Sequence, residues 1–200
     1  MSLNGLDSGY NCEIIAKDIK NAGYDFIMRY YNVKDPSKNL TYEELHALSN
    51  EGLSVGVVWE NGYSNSVSCF SYDQGKEDGK NAGYYASRTI GQPEGTPIFF
   101  GVDYDASVSD ISGAIADYFR GVREAVEMDQ YPIGVYGSGT LCEYILNNGL
   151  AEFSWLSRST GWSGYNTFTS WDIKQGGDIT IAGVPFDADT CTNISDPFIF

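Results

Sequence analysis

Apolar positions recur along the chain in one repeated phrase. A stretch with apolar residues three and four apart is followed by a glycine and then by a short contiguous apolar run. Asn11 stands where it would cap a helix reaching Ala22, with Ile15, Ile19 and Ala22 on one face and Gly23 just past its end. The run Phe26-Ile27-Met28-Arg29-Tyr30 follows as a strand. Thr41 and Glu44 have the spacing of a capping box, Leu45 and Leu48 form the stripe behind it, and Gly52 stops this second helix. Val55-Gly56-Val57-Val58-Trp59-Glu60 comes next. A third helix is predicted over 72–90, closed by Gly91 and Pro93 ahead of Ile98-Phe99-Phe100-Gly101-Val102-Asp103. A fourth begins near Ser109 and carries Ile111, Ile115, Tyr118, Val122 and Ala125 to the strand Pro132-Ile133-Gly134-Val135-Tyr136. A fifth, over 140–148, ends at Gly149 before Phe153-Ser154-Trp155-Leu156.

Asn4-Gly5-Leu6-Asp7 fits a short first strand. Trp171-Asp172-Ile173-Lys174-Gln175 and Gly183-Val184-Pro185-Phe186-Asp187 read as two more, with no long amphipathic helix between them. Strands alternating with helices indicate βαβ units and a parallel sheet. Eight strands with five helices suit one α/β domain over residues 1–200, Met1-Ser2-Leu3 being set aside as an expression remnant. An ordinary TIM barrel averages about 250 residues, so 200 residues accommodate a (β/α)5β3 barrel without its last three helices. An open doubly wound sheet is the rival architecture. Gly75, Gly79 and Gly83, four apart in the third helix, point to close helix packing. Asp73, Glu77 and Asp78 read as a charged helix face, and Asp172 and Lys174 as solvated.

Charge narrows the function classes. Twelve basic residues against 27 acidic give a net charge of −15, which repels phosphate backbones and anionic lipid. No basic run offsets this, so nucleic acid is not an expected partner. No apolar stretch approaches the roughly 20 residues of a bilayer span, so membrane insertion is not expected either. The N-terminus shows no export signal. Cys12, Cys69, Cys142 and Cys191 form no C-x-x-C pair and His46 is the one histidine, so neither a zinc site nor histidine-based nucleophilic catalysis is indicated. Gly137-Ser138-Gly139 lacks the third glycine of a dinucleotide loop. No metal and no cofactor are called for. The cysteines read as isolated buried thiols; the alternative is a Cys12–Cys191 disulfide brought together by barrel closure.

The polar residues collect at the C-terminal ends of the strands, which form the working face of a parallel barrel. In order these are Asp7; Arg29, Tyr30 and Tyr31; Trp59 and Glu60; Asp103 and Asp105; Tyr136; Trp155; Gln175; and Asp187 with Asp189. Residues two apart on a strand share a side, so Asp103 and Asp105 are both expected at the mouth. Closure sets the first strand beside the last, bringing Asp7 towards Asp187. Crowded carboxylates keep a proton available near neutral pH. A carboxylic acid beside a carboxylate is the apparatus of glycoside cleavage. Arg29, Tyr31, Trp59, Glu60, Tyr136, Trp155 and Gln175 are the expected sugar-binding groups.

Gly5-Leu6-Asp7, Phe100-Gly101-Val102-Asp103-Tyr104-Asp105, Val135-Tyr136-Gly137, 171–175 and Val184-Pro185-Phe186-Asp187 resemble glycoside hydrolase family 25 lysozymes. More closely they resemble the related glycoside-hydrolase-like domains of bacterial and phage cell-wall proteins. Gly75-Lys76-Glu77-Asp78-Gly79-Lys80-Asn81-Ala82 and Gly91-Gln92-Pro93 have close counterparts there. The resemblance implies a flattened (β/α)5β3 barrel, a bacterial cell-wall glycan as partner, and action at the cell wall or outside the cell. It implies cleavage between N-acetylmuramic acid and N-acetylglucosamine. The lysozymes carry Asp-x-Glu at the fourth strand, the glutamate being the general acid; here that position is Asp105, one methylene shorter. The implied roles are Asp105 as general acid, with Glu60 or a rearranged Asp103 as the alternatives for that role, Asp103 orienting the N-acetyl group or stabilising the oxocarbenium-like centre, Asp7 and Asp187 tuning both, and Gln175 bonding the sugar. The alternative is a glycan-binding barrel that has lost hydrolysis.

Overall fold

The computed structural model describes residues 2–32, 34–60, 62, 64–126 and 131–192. The strands are β1 (Leu3–Asp7), β2 (Phe26–Tyr31), β3 (Ser54–Trp59), β4 (Ile98–Gly101), β5 (Ile133–Gly137), β6 (Phe153–Leu156), β7 (Ile173–Ile181) and β8 (Val184–Cys191). They close into a barrel in sequential order. Neighbours pair in parallel from β1 to β7, and β8 runs antiparallel to both β7 and β1. The helices are α1 (Ala16–Asn21), α2 (Tyr42–Asn50), α3 (Tyr72–Tyr84), the short α4 (Val108–Asp110) leading into α5 (Ala116–Ala125), and α6 (Gly139–Asn147). This is the (β/α)5β3 architecture, and ring closure excludes the open doubly wound sheet.

The element ends differ from the sequence reading for local reasons. Asn11 caps a tight turn, its Oδ1 accepting the Glu13 N–H at 2.9 Å, and regular helix starts only at Ala16. Between α4 and α5 the chain passes through a wide turn, Ile111–Ile115, where Gly113 leaves helical backbone. β7 and β8 are longer than their apolar cores and form a hairpin turning at Ala182 and Gly183, whose φ values are 50° and 83°. A register shift between Gln175 and Asp178 marks a bulge at Gly176-Gly177. Leu3 pairs with Cys191, so the residue set aside as a remnant belongs to the ring.

Strand alternation divides the interior into two cores. Phe26, Met28, Val58, Phe99, Trp155, Ile173 and Cys191 fill the barrel. Gly5 and Gly134 make room at its base: a Cβ there would fall 2.1 Å from the Phe26 ring and 2.3 Å from the Phe99 ring. Ile27, Val55, Val57, Phe100 and Val135 face outward and pack under Ile19, Leu48, Phe119, Val122 and Ile145. Cys12 lies in this outer layer and Cys191 inside the barrel, so closure does not join them.

Several polar residues are used differently from the sequence reading. Thr41 caps α2, its hydroxyl accepting the Glu44 N–H at 3.1 Å, but the Glu44 carboxylate does not return to Thr41. It turns inward and takes the Arg29 guanidinium at 2.7 and 3.1 Å and the Cys12 N–H at 2.7 Å. Arg29, also bonded to the Ser8 carbonyl, and Glu44 are both fully buried. Asp78, expected on a charged face, is buried and accepts from Gln74 at 2.9 Å and the Tyr118 hydroxyl at 3.0 Å. Asp172, expected in solvent, is buried and accepts the Ser154 N–H at 2.8 Å.

Two stability predictions follow from this packing. Removing one partner of a buried ion pair strands the other, so Glu44→Gln should cost about 3–5 kcal/mol in urea melts, while Arg29→Met with Glu44→Leu should cost less than either single change. A Cβ at Gly75 would sit 2.0 Å from the Tyr118 carbonyl oxygen, whereas one at Gly83 meets nothing within 4 Å. Close packing therefore accounts for Gly75 but not for Gly83. Gly75→Ala should lower the melting temperature by several degrees, and Gly83→Ala should raise stability by about 0.5–1 kcal/mol.

Candidate active site

At the C-terminal end of the barrel lies a cavity of about 260 Å³. Asp7, Glu60, Asp103 and Asp187 line it, together with Tyr30, Tyr136, Trp155, Gln175 and Arg158. The register explains the acidic side. β8 returns antiparallel to β1, which sets Asp7 opposite Asp187. Gln175 on β7 then clamps the pair, its amide nitrogen donating to Asp7 at 2.8 Å and to Asp187 at 3.1 Å. The Gln175 carbonyl accepts the Tyr136 hydroxyl at 2.9 Å, which fixes the direction of the amide. Arg158, just beyond β6, donates to Asp187 at 2.6 Å and also bonds Asp178, which the β7 bulge brings alongside.

Electrostatics separates these acids. Burial pushes the Asp7 carboxyl up to about 7; the Gln175 bond opposes this and the Asp187 charge adds to it. Asp187 is also raised, by burial and by Asp178, with Arg158 pulling it back. On the other side of the ring Glu60 is raised by burial, against Lys38 at 3.9 Å and with the Asp103 charge. Asp103, at the solvent-facing rim, is raised by partial desolvation and lowered by Lys38. Below Asp7, Asp189 is buried, and its Oδ1 accepts the Trp155 indole N–H at 2.9 Å. The cavity thus pairs a carboxyl that is half-protonated near neutrality with carboxylates across from it, between aromatic walls.

Seven of the eleven sequence-predicted site residues meet here: Asp7, Asp103, Asp187, Glu60, Tyr136, Trp155 and Gln175. Four do not, and each is a correction. Arg29, Tyr31 and Trp59 occupy the outward parity of β2 and β3 and are buried beneath the helices, Arg29 on Glu44 and Tyr31 on Gln92 at 2.9 Å. Asp105 is not among the cavity-lining residues, because β4 ends at Gly101 and strand alternation stops there. Its carboxylate accepts the Ser163 N–H at 2.9 Å and the Ser163 hydroxyl at 3.2 Å, tying two loops together. The sequence reading placed Tyr30 at a strand end without counting it among the sugar-binding groups, and it passed over Arg158 and the serines at 157 and 159. Parity would have found Tyr30, since it lies two residues from Met28 inside the barrel. Arg158 had no comparable signal, because it stands beyond the last residue of β6.

Comparison with known proteins bears on the family and the fold. Residues 17–187 match the family described as Rv2525c-like, glycoside hydrolase-like domain. The uncharacterized protein FadG of Bacillus subtilis is 31% identical over 195 residues, covering 90% of this chain; the chain spans about a third of FadG, 34% of its length. The putative peptidoglycan hydrolase Rv2525c of Mycobacterium tuberculosis is 24% identical over 159 residues, covering 71% of this chain and 61% of that protein. The crystal structure of Rv2525c with L-tartrate superposes with a TM-score of 0.80 at 20% identity, covering 99% of both chains. A muramidase from Trichobolus zukalii shares the fold with a TM-score of 0.59 at 13% identity, covering 97% of this chain and 95% of that one.

Asp7 also ties stability to pH. Its carboxyl binds a proton more tightly in the folded chain (about 7) than when unfolded (about 3.8). Stability from this group is therefore complete below about pH 3.8 and is lost as pH rises through about 7. Of the decline seen in urea melts between pH 4 and 8, Asp7 should account for about 4 kcal/mol at most, from about 1.4 kcal/mol per pH unit. Asp7→Asn should flatten that decline.

Proposed function

The chain belongs to the family of Rv2525c-like, glycoside hydrolase-like domains, and from that premise we propose that it hydrolyses O-glycosyl bonds in bacterial cell-wall glycan at the barrel mouth. One observation carries the reading: a buried carboxyl with its pKa at about 7, Asp7, shares a sugar-sized cavity with Glu60 and Asp103. A general acid works best when its pKa lies near the working pH. In this reading Asp7 passes its proton to the glycosidic oxygen as the C1–O bond breaks, and the bonding pair leaves with that oxygen. Asp103 stabilises the positive charge at C1 or orients the neighbouring N-acetyl group. A water molecule, deprotonated by a carboxylate of the same basin, completes hydrolysis. Tyr30 and Tyr136 provide the walls on which sugar rings stack, with the buried Trp155 as the floor beneath, and Gln175 and Arg158 hold the acids in place. The role of proton donor thus moves from Asp105 to Asp7. The names of Rv2525c and of the Trichobolus zukalii muramidase support cell-wall glycan as the substrate class.

A second reading, glycan binding without turnover, is favoured by one feature. The position that resembles the lysozyme glutamate is Asp105, which Ser163 holds outside the cavity lining.

Purified cell walls distinguish the two. Hydrolysis predicts turbidity loss with release of reducing ends, and a rate that falls as pH rises through about 7. Asp7→Asn and Asp103→Asn should each lower the rate about 100-fold or more, and Asp105→Asn should leave it within about threefold. Retention on walls without reducing ends, weakened by Tyr136→Ala, would replace hydrolysis with binding.

A further inference from the structure

Asp189 is a buried acid for which the proposed chemistry has no use. It sits on β8 two residues from Asp187, on the same inward side, and pairs across β1 with Gly5. Only 4% of its surface is exposed. Oδ1 accepts the Trp155 N–H, whereas Oδ2, wholly buried, receives no N–H or O–H donor among the described residues other than what a second carboxyl could bring. Stranding a carboxylate oxygen in this way costs more than a satisfied bond returns. The neighbouring inward carboxyl is that of Asp7, one diagonal step away in the β1–β8 register, where Asp189 stands opposite Gly5 and Asp187 opposite Asp7. Two carboxyl groups hydrogen-bond only when one of them supplies a hydrogen.

We propose that Asp189 stays a protonated carboxylic acid which donates its O–H to Asp7, acting as the positioning residue behind the proton donor of the barrel mouth. The arrangement leaves the other Asp7 oxygen on the Gln175 amide, so when Asp7 releases its proton the resulting carboxylate is met by two donors fixed in advance. The same burial raises Asp189 well above the usual carboxylate range, reinforced by the Asp7 charge and opposed by the Trp155 bond. The charged or titratable groups facing the pair are Asp187 on β8, Arg158 beyond β6, Tyr136 on β5 and Tyr30 on β2. β6 and β7 contribute the neutral Trp155 and Gln175. Among the described residues no ion pair to Asp189 is formed that would hold it ionised, and the charges acting on it most are those of Asp7 and Asp187. The catalytic consequence rests on the hydrolase reading; the protonation state does not.

Carboxyl-carbon NMR on aspartate-labelled protein, titrated from pH 4 to 9, tests both parts. The Asp189 resonance should keep its protonated position through neutral pH while Asp7 titrates. Asparagine is the natural mimic of a protonated aspartate, keeping a carbonyl for Trp155 and an N–H for Asp7. Asp189→Asn should therefore leave the Asp7 midpoint within about 0.5 pH unit and wall hydrolysis within about threefold. Asp189→Leu, which offers no donor, should raise the Asp7 midpoint by about one unit and carry the alkaline limb of the rate profile up with it. An Asp189 resonance that titrates below pH 5, or an Asp189→Asn variant as inactive as Asp7→Asn while still folded, overturns the proposal. A protonated Asp189 in a protein that releases no reducing ends sustains this inference and removes the hydrolase reading alone.

Discussion

The structure depends on how the ring closes. Seven strands run in parallel and the eighth returns against the first, so the residues at the ends of β1 and β8 become cross-strand partners although they stand 180 positions apart along the chain. That register sets Asp7 against Asp187 and leaves Asp189 one step deeper. Two like charges placed so close, in a pocket short of water, cannot both be ionised cheaply. Everything around them serves that problem: the Gln175 amide shared between two acids, Arg158 on Asp187, and the Trp155 indole beneath. The cost of closing the ring on carboxylates is what leaves a proton poised at the mouth.

The surrounding fold keeps those acids still by separating two packing problems. Inside the barrel, glycines in β1 and β5 let Phe26 and Phe99 lie across the base, so the layer above is narrow and rigid. Outside, α3 and α5 approach so closely that Gly75 and Gly121 sit almost on the facing backbone. Between the two layers the buried Arg29–Glu44 pair links β2 to α2 and reaches the Ser8 carbonyl just beyond β1. An ion pair of this kind is weak evidence for stability in itself. Its place, one residue past Asp7, makes it a brace for the segment that carries the candidate proton donor.

The mouth also shows where an anionic protein gathers its acids. With a net charge of −15 the chain has acids to spare, yet it concentrates a few of them where solvent is thin. Lys38 and Arg158 do not neutralise the basin. Each stands behind one of its sides, moderating Glu60 and Asp103 in one case and Asp187 in the other. The outcome is a group of acids all raised by burial, each moderated by a different partner.

By itself the amino-acid sequence determined the strand–helix rhythm, the eight strands, the family resemblance and the fact that acids and aromatics gather at strand ends, because hydrophobic periodicity and glycine stops are local properties. It also placed Asp7 beside Asp187, since that follows from counting strands to closure. Which side of a strand a residue takes at its frayed end was settled only in three dimensions. Tyr30 faces the cavity while Arg29 and Tyr31 turn outward by simple parity, but Asp105 loses its expected place because β4 stops at Gly101 and Ser163, far along the chain, offers two donors. The apolar pattern carried no trace of the β7 bulge that delivers Asp178 to Arg158, nor of the burial of Asp78, Asp172 and Asp189. A buried acid looks like a surface acid until its hydrogen-bond partners, drawn from distant segments, are known.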